Sequence, residues 1–290
     1  MKKLFDLLRL MRSQQWVKNS FVFIGLLFGH AWHDPHLVAQ VVIAFFAFCL
    51  VSSSIYTFND IVDVEQDKLH PRKCKRPLAS GAVSMLAAIK LAALLGVLGL
   101  ALAYAASPAV LIILSGYVLM NIAYSRKLKH VVILDVFIIA TGFMLRILAG
   151  TLGVGIPPSQ WLLLCGLMVT LFLGFTKRRA EIITLNEEKS SHRKVLEQYS
   201  PVLLDKMIGI TASGVIMSYS LYTMNSDTIR IHGTVNLIYT VPFVMYGVFR
   251  YIYLLHHQNK GGDTAQDFMR DLHLLIAVGA WALTTFLLVA

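Results

Sequence analysis

The stretch VVIAFFAFCLVSSSIYTFNDIVDVEQDKLHPRKCKRPLASG, residues 41–81, passes from lipid-like to densely charged within a few positions. From Val41 to Phe58 it carries no charge, as hydrocarbon demands of a spanning helix. From Asn59 onward it sets Asp60, Asp63, Glu65 and Asp67 against Lys68, Arg72, Lys73, Lys75 and Arg76. The fold turns on this contrast. It is either an ordinary solvated connection between two spans or a membrane helix running into a polar site.

Working outward, the whole chain shares the character of the first half. Of 290 residues 57% are hydrophobic and only 14% charged, against ~25% charged in soluble domains. With a mean hydropathy of +0.66, such a chain cannot cover a soluble surface, and bilayer is its expected solvent. Nine apolar spans can be drawn, at 17–33, 37–58, 82–106, 108–124, 131–153, 159–176, 203–225, 235–255 and 272–290. The expectation is an all-α integral membrane protein, one domain over 1–290, with an interfacial amphipathic helix over 1–16. Asp6, Arg9 and Arg12 interrupt the short apolar start, so it does not read as a cleaved leader. Cys49, Cys74 and Cys165 are scattered and imply neither a disulfide framework nor a zinc site.

The net charge of +10 is first a matter of topology. Lys and Arg gather before the first span and in alternate connections, while HDPH (33–36) and GVGIPP (153–158) carry none and Arg230 stands alone. The positive-inside rule then puts the N-terminus in the cytoplasm, the C-terminus outside, and four polar segments (59–81, 125–130, 177–202, 256–271) on the cytoplasmic side.

Topology does not explain the acids. On a helical extension over 59–70, ending before Pro71, Asn59, Asp60, Asp63 and Asp67 fall within an arc of about 100°. Glu65 points elsewhere. Stacked carboxylates repel, so this face calls for a cation. Oxygen ligands alone suit Mg²⁺, which binds through one or two carboxylates plus substrate phosphates. The cationic run beside them suits phosphate oxygens.

Three further segments carry charge. Asp135 and Arg146, eleven residues apart, share a face of one span with Gly142 between them; intramembrane ionisable residues are functional candidates or a structural pair. In TKRRAEI (176–182), Lys177 and Glu181 are spaced for an ordinary i,i+4 ion pair. In HHQNKGGDTAQDFMRD (256–271), the adjacent His256 and His257 point to different faces and read as interfacial polar residues rather than a metal pair. No Walker A loop, Ser-His-Asp arrangement or HExxH motif occurs, which argues against an ATPase, a hydrolase or a zincin.

Taken together, QWVKN (15–19), NDIVDVEQD (59–67), HPRKCKRP (70–77), YSRKLKHVVILD (124–135), GFMLRILAG (142–150), TKRRAE (176–181) and FRYIYLLHH…GGD (249–263) make the chain resemble the UbiA-type intramembrane prenyltransferase superfamily. Within it, the nearest branch is the decaprenyl-phosphate (polyprenyl-phosphate) phosphoribosyltransferases. Aromatic prenyltransferases of the superfamily carry a second DxxxD; here Asp135 is followed four residues later by Ile139. Ser13 stands where the family has Pro.

The resemblance implies transfer of 5-phosphoribosyl from phosphoribosyl diphosphate (PRPP) to a polyprenyl phosphate at the cytoplasmic membrane. Asn59, Asp60, Asp63 and Asp67 would form the Mg²⁺ site, with Asp60, Asp63, Asp67 and Asp135 catalytic. Lys75 and Arg76 would take the PRPP phosphates, with Lys18 and Asn19 closing the site. Lys129, Asp135 and Arg146 would line its second half, and Tyr124 would also bind substrate. Lys177 and Glu181 would meet the acceptor phosphate or the ribose 5-phosphate. Two rivals stay open: an aromatic prenyltransferase with a prenyl diphosphate donor, and a transporter or flippase for an anionic lipid.

Overall fold

The computed structural model describes residues 2–69, 73–187, 196, 198–257 and 271–289. His70, Pro71 and Arg72, most of 188–197, and the GGD segment with Asp263 and Asp267 lie outside them. The described residues are helical, without strands. The helices are α1 (Lys2–Met11), α2 (Ile24–Phe28), α3 (Pro35–Val62), α4 (Val64–Leu69), α5 (Met85–Ala106), α6 (Pro108–Arg126), α7 (Leu134–Ala149), α8 (Gln160–Glu187), α9 (Pro201–Met224), α10 (Ser226–His232), α11 (Val241–His257) and α12 (Leu272–Val289).

Punctuation sets several of their starts. Asp34-Pro35, Ser107-Pro108 and Ser200-Pro201 each place a capping oxygen before a proline that lacks the N–H a first turn leaves unpaired. Asp34 accepts from the backbone of His36 and Leu37, Ser107 from Val110, and Ser200 from Leu203. Ser107 also closes α5, so two spans join through one residue.

Among the described residues eight helical stretches are long and apolar enough to cross a membrane, and they match eight of the nine spans drawn from sequence. The span drawn at 17–33 is built differently. It is a 3₁₀ helix over Ser13–Phe23 followed by the five-residue α2. At about 2.0 Å and 1.5 Å of rise per residue these two reach roughly 30 Å, the thickness of the hydrocarbon. The helix expected over 1–16 likewise ends at Met11. The chain forms two compact units, Met1–Leu128 with Leu145–Pro158, and Lys129–Met144 with Ser159–Ala290. The chain passes between them at Leu128–Lys129, within α7 and again at Pro158–Ser159.

In the first unit, α3 packs on α5 through small residues. A methyl on Gly99 would sit 2.6 Å from Val51 Cγ2 and 3.1 Å from the Ala47 carbonyl, the close approach by which helices associate in lipid. The 3₁₀ segment is held as tightly. With three residues per turn, Trp16, Asn19, Val22 and Gly25 fall on one edge. Trp16 donates to Ser53 Oγ (3.0 Å), Asn19 to Ser52 Oγ (3.3 Å), and a methyl on Gly150 would lie 1.7 Å from the Val22 carbonyl. α1 lays Leu7 and Leu10 against Leu78, Val83 and Ala88, leaving Phe5 and Leu8 exposed.

In the second unit, α8 and α9 form the main pair, with Gly214 against the side chain of Met168. Leu171, Phe172, Leu204, Ile208, Leu254 and Leu274 lie in its core.

Candidate functional site

The first acidic cluster lies in the first unit, where α3 ends. The helix expected to continue through 59–70 bends at Asp63 (φ −93°, ψ 6°), which closes α3 before α4 begins. The i,i+4 backbone bonds persist across the bend, from Asp63 N–H to Asn59 and from Asp67 N–H to Asp63. Asp60 and Asp67, seven residues apart, therefore stay on one side. Both are buried, at 3% and 2% exposure, and Asp63 is half-buried. Glu65 is exposed and pairs with Lys68 at 2.8 Å, off this face as its spacing predicts.

Both buried carboxylates are directed at one atom. Arg76 Nη1 donates to Asp60 Oδ1 (3.1 Å) and to Asp67 Oδ2 (2.5 Å). Arg12 Nη2 donates to the same Asp60 Oδ1 (2.5 Å), and Lys73 Nζ stands 3.9 Å from Asp67 Oδ1. Arg12 has left-handed backbone (φ 52°, ψ 48°), rare for a side chain other than Gly. That turn ends α1 and aims the guanidinium over the Tyr56 ring (5.3 Å) at Asp60. Ser125 Oγ donates to Asn59 Oδ1 at 2.7 Å, tying the end of α6 to this face. Lys75 is exposed and Lys18 and Tyr124 are half-buried.

Asn19 and Arg146 are brought together by direct contact. Arg146 Nε donates to Asn19 Oδ1 (2.7 Å) and Nη2 to Tyr117 OH (3.0 Å), with the guanidinium 4.8 Å from the Tyr117 ring and 5.4 Å from that of Phe48. Both residues are buried. They join α7 to the Ser13–Phe23 segment and α6.

The second acidic cluster lies in the second unit. Asp135 is buried, and its partner is not Arg146 of its own helix. Arg178 Nε donates to Asp135 Oδ2 (2.7 Å) and Tyr199 OH to Asp135 Oδ1 (2.7 Å). Arg178, also buried, uses Nη1 for Glu181, so Glu181 pairs at i,i+3 rather than with Lys177, which is exposed. Tyr199 OH in turn accepts the N–H of Ile133 (2.6 Å). Ile133 has φ 69°, an outlier for a β-branched residue, and the bond pins that turn just after the half-buried Lys129. Burial, reinforced by the bond to Asp135, pushes the Tyr199 hydroxyl well above its ordinary value, so it stays a donor. Nearby, Arg179 donates to Asp205 (2.5 Å) and meets His256 Nδ1 (2.9 Å), giving His256 a definite helix-tying contact.

Arg12, Arg178 and Tyr199 were not among the sequence candidates. Arg12 was hidden among cations that topology explains. Arg178 had a signal: a buried acid such as Asp135 requires a cation, and the TKRRAE segment holds three. Tyr199 lies 64 residues from Asp135 with no motif to mark it.

Whether the acidic face suits a divalent metal can be judged from its donors. Among the described residues no group of three His, Cys, Asp or Glu is arranged as a ready cage. Mg²⁺ does not require one, because it keeps waters and takes phosphate oxygens from its substrate. Asp60 and Asp67 already converge on one cationic atom, and Asn59 adds a third oxygen. The donor set fits Mg²⁺.

Comparison with known proteins gives the family of the chain. The sequence pattern of the UbiA prenyltransferase family matches residues 19–287. The chain is 35% identical over 225 residues to a decaprenyl-phosphate phosphoribosyltransferase of Mycolicibacterium smegmatis, covering 76% of this chain and 71% of that one. It is 31% identical over 277 residues to the Mycobacterium tuberculosis H37Rv protein of the same name, covering 94% and 90%. Its fold matches a UbiA homolog from Archaeoglobus fulgidus, solved bound to GPP and Mg²⁺, with a TM-score of 0.71, 16% identity, and 98% and 99% coverage. The chain is a multi-pass integral membrane protein and belongs to the UbiA prenyltransferase family.

Proposed function

We propose that this protein transfers 5-phosphoribosyl from PRPP to a polyprenyl phosphate, releasing diphosphate, at the cytoplasmic face of the inner membrane. The observation that carries the reading is 35% identity, over three-quarters of the chain, to an enzyme named for a decaprenyl phosphate acceptor. The first acidic cluster supports it, with two buried carboxylates turned toward one cationic atom and basic residues beside them. The distribution of Lys and Arg supports a cytoplasmic N-terminus and an outward C-terminus.

In the reaction an oxygen of the lipid phosphate attacks ribose C1 as the bond from C1 to the diphosphate oxygen breaks. Diphosphate departs with the electron pair, and attack from the opposite side inverts C1. The lipid phosphate is already anionic near neutral pH, so no residue has to remove a proton from it. Held by Asn59, Asp60, Asp63 and Asp67, Mg²⁺ would neutralise charge on the departing diphosphate. Arg76 and Lys75 grip diphosphate oxygens, Arg through its planar fork and Lys as a point charge. Carboxylates beside C1 stabilise its oxocarbenium character. Lys18, Tyr124 and Lys129 contact substrate, and Lys177 with Glu181 meets the ribose 5-phosphate or the acceptor phosphate. Asn19 and Arg146 act by holding the 3₁₀ segment, and Asp135 by holding Arg178.

The test supplies purified protein with labelled PRPP and polyprenyl phosphate, and in parallel with labelled prenyl diphosphate and 4-hydroxybenzoate. Label from PRPP should become attached to the polyprenyl phosphate in the first mixture, and no labelled prenyl group should join 4-hydroxybenzoate in the second. Transfer in the second alone would overturn the donor assignment in favour of an aromatic prenyltransferase.

A further inference from the structure

In the first acidic cluster one carboxylate oxygen is shared by two cationic side chains. Asp60 and Asp67 face Arg12, Arg76 and Lys73, and a single oxygen, Asp60 Oδ1, carries both guanidinium groups. The Asp60 side chain is 3% exposed, yet that of Arg12 is 30% exposed and that of Arg76 29%. The acids are fixed inside, while the cations reach the surface.

We propose that Arg12 is a phosphate-binding arm of this site, resting on Asp60 in the free protein and turning to phosphate oxygens when Asp60 engages the metal–phosphate substrate. The inference rests on the function proposed above. Asp60 Oδ1 cannot serve two guanidinium groups and a metal ion at once. The guanidinium that leaves it lies half-exposed over the Tyr56 ring and needs another anion. Phosphate oxygens match its forked donors. Arg12 also sits at the junction of two helical segments. It is the last turn of α1 before the 3₁₀ segment, and its left-handed backbone gives up conformational strain of order 1 kcal/mol on leaving that region. Arg76 lacks this hinge, being held by Asp67 as well.

The phosphate that Arg12 takes belongs to PRPP or to the lipid acceptor, and the two can be separated. Full-length protein in nanodiscs is titrated with Mn²⁺, followed by electron paramagnetic resonance, and separately with PRPP and with polyprenyl phosphate. Wild type is compared with Arg12→Gln and with the charge-preserving Arg12→Lys. Without substrate, Arg12→Gln should bind Mn²⁺ about threefold to tenfold more tightly, because a competitor for Asp60 is gone. It should bind one phosphate substrate about tenfold more weakly, and Arg12→Lys should fall between. Weakening confined to PRPP assigns the arm to the donor, and weakening confined to polyprenyl phosphate assigns it to the acceptor; either supports the proposal. Unchanged or weaker Mn²⁺ binding in Arg12→Gln, with both substrates bound as in wild type, would overturn it and leave Arg12 a tie between α1 and α3. Wild type that binds neither Mn²⁺ nor PRPP would overturn the donor reading itself and this arm with it.

Discussion

The two acidic clusters use the same chemistry to opposite ends. Around Asp60 and Asp67, buried acids meet arginines whose side chains are 30% and 29% exposed, and one carboxylate oxygen is shared between both. Around Asp135, the arginine is 2% exposed, and each carboxylate oxygen has its own donor, Arg178 or Tyr199. A half-exposed ion pair contributes little and can exchange partners. A fully buried one is costly to break, because the survivor is left charged and unpaired. The shared, partly exposed contacts of the first cluster suit the substrate site proposed above, and the buried, singly paired contacts around Asp135 suit a helix tie.

The sharpest way to break this comparison is to strand a partner in the second cluster. Arg178→Met leaves Asp135 buried without its cation and should cost about 3–5 kcal/mol of stability, read by denaturant unfolding in detergent micelles. A loss under about 1 kcal/mol would mean that Asp135 is exchangeable after all. In the first cluster the costs should reverse. Asp67→Asn should lower turnover about a hundredfold, ~2.7 kcal/mol in barrier, while shifting stability by no more than about 1 kcal/mol.

Tyr199→Phe sharpens the contrast further. It removes a donor to Asp135 and an acceptor for Ile133 N–H, and should cost about 1–3 kcal/mol in unfolding experiments. The smallest effect belongs to a third pair, Arg250 with Asp271 (2.8 Å). Arg250, with help from the Leu274 N–H, holds the Asp271 carboxyl below its usual range. A carboxyl lowered in the folded state adds stability that is present above its unfolded pKa, about 3.9. That stability is lost as pH falls through the folded value. The difference in melting temperature between wild type and Asp271→Asn should be constant near neutral pH and shrink below about pH 4.

The contrast also explains what could be read in advance. Spans are long, uniform signals, and eight of the nine drawn from hydropathy are single helical stretches. The acidic face was legible because its residues are local: Asp60 and Asp67 lie two turns apart, and a bend at Asp63 does not separate them. The Ser13–Phe23 helix carried a period-three signal in Trp16, Asn19, Val22 and Gly25, visible only to a reader looking for 3₁₀ geometry. Tertiary partners were not legible. Arg12 reaches Asp60 across 48 residues, and Arg178 reaches Asp135 across 43. Neither distance leaves a pattern in the chain, so Asp135 and Arg146 read as a shared stripe although each is committed to another helix.

The most direct test of the account is mass spectrometry of the lipid recovered after wild-type protein acts on PRPP and polyprenyl phosphate. The expected product is a polyprenyl phosphate carrying one phosphoribosyl group through ribose C1, with one diphosphate released per lipid converted. Lipid of unchanged mass that has nonetheless crossed the bilayer of a proteoliposome would contradict it and identify a flippase.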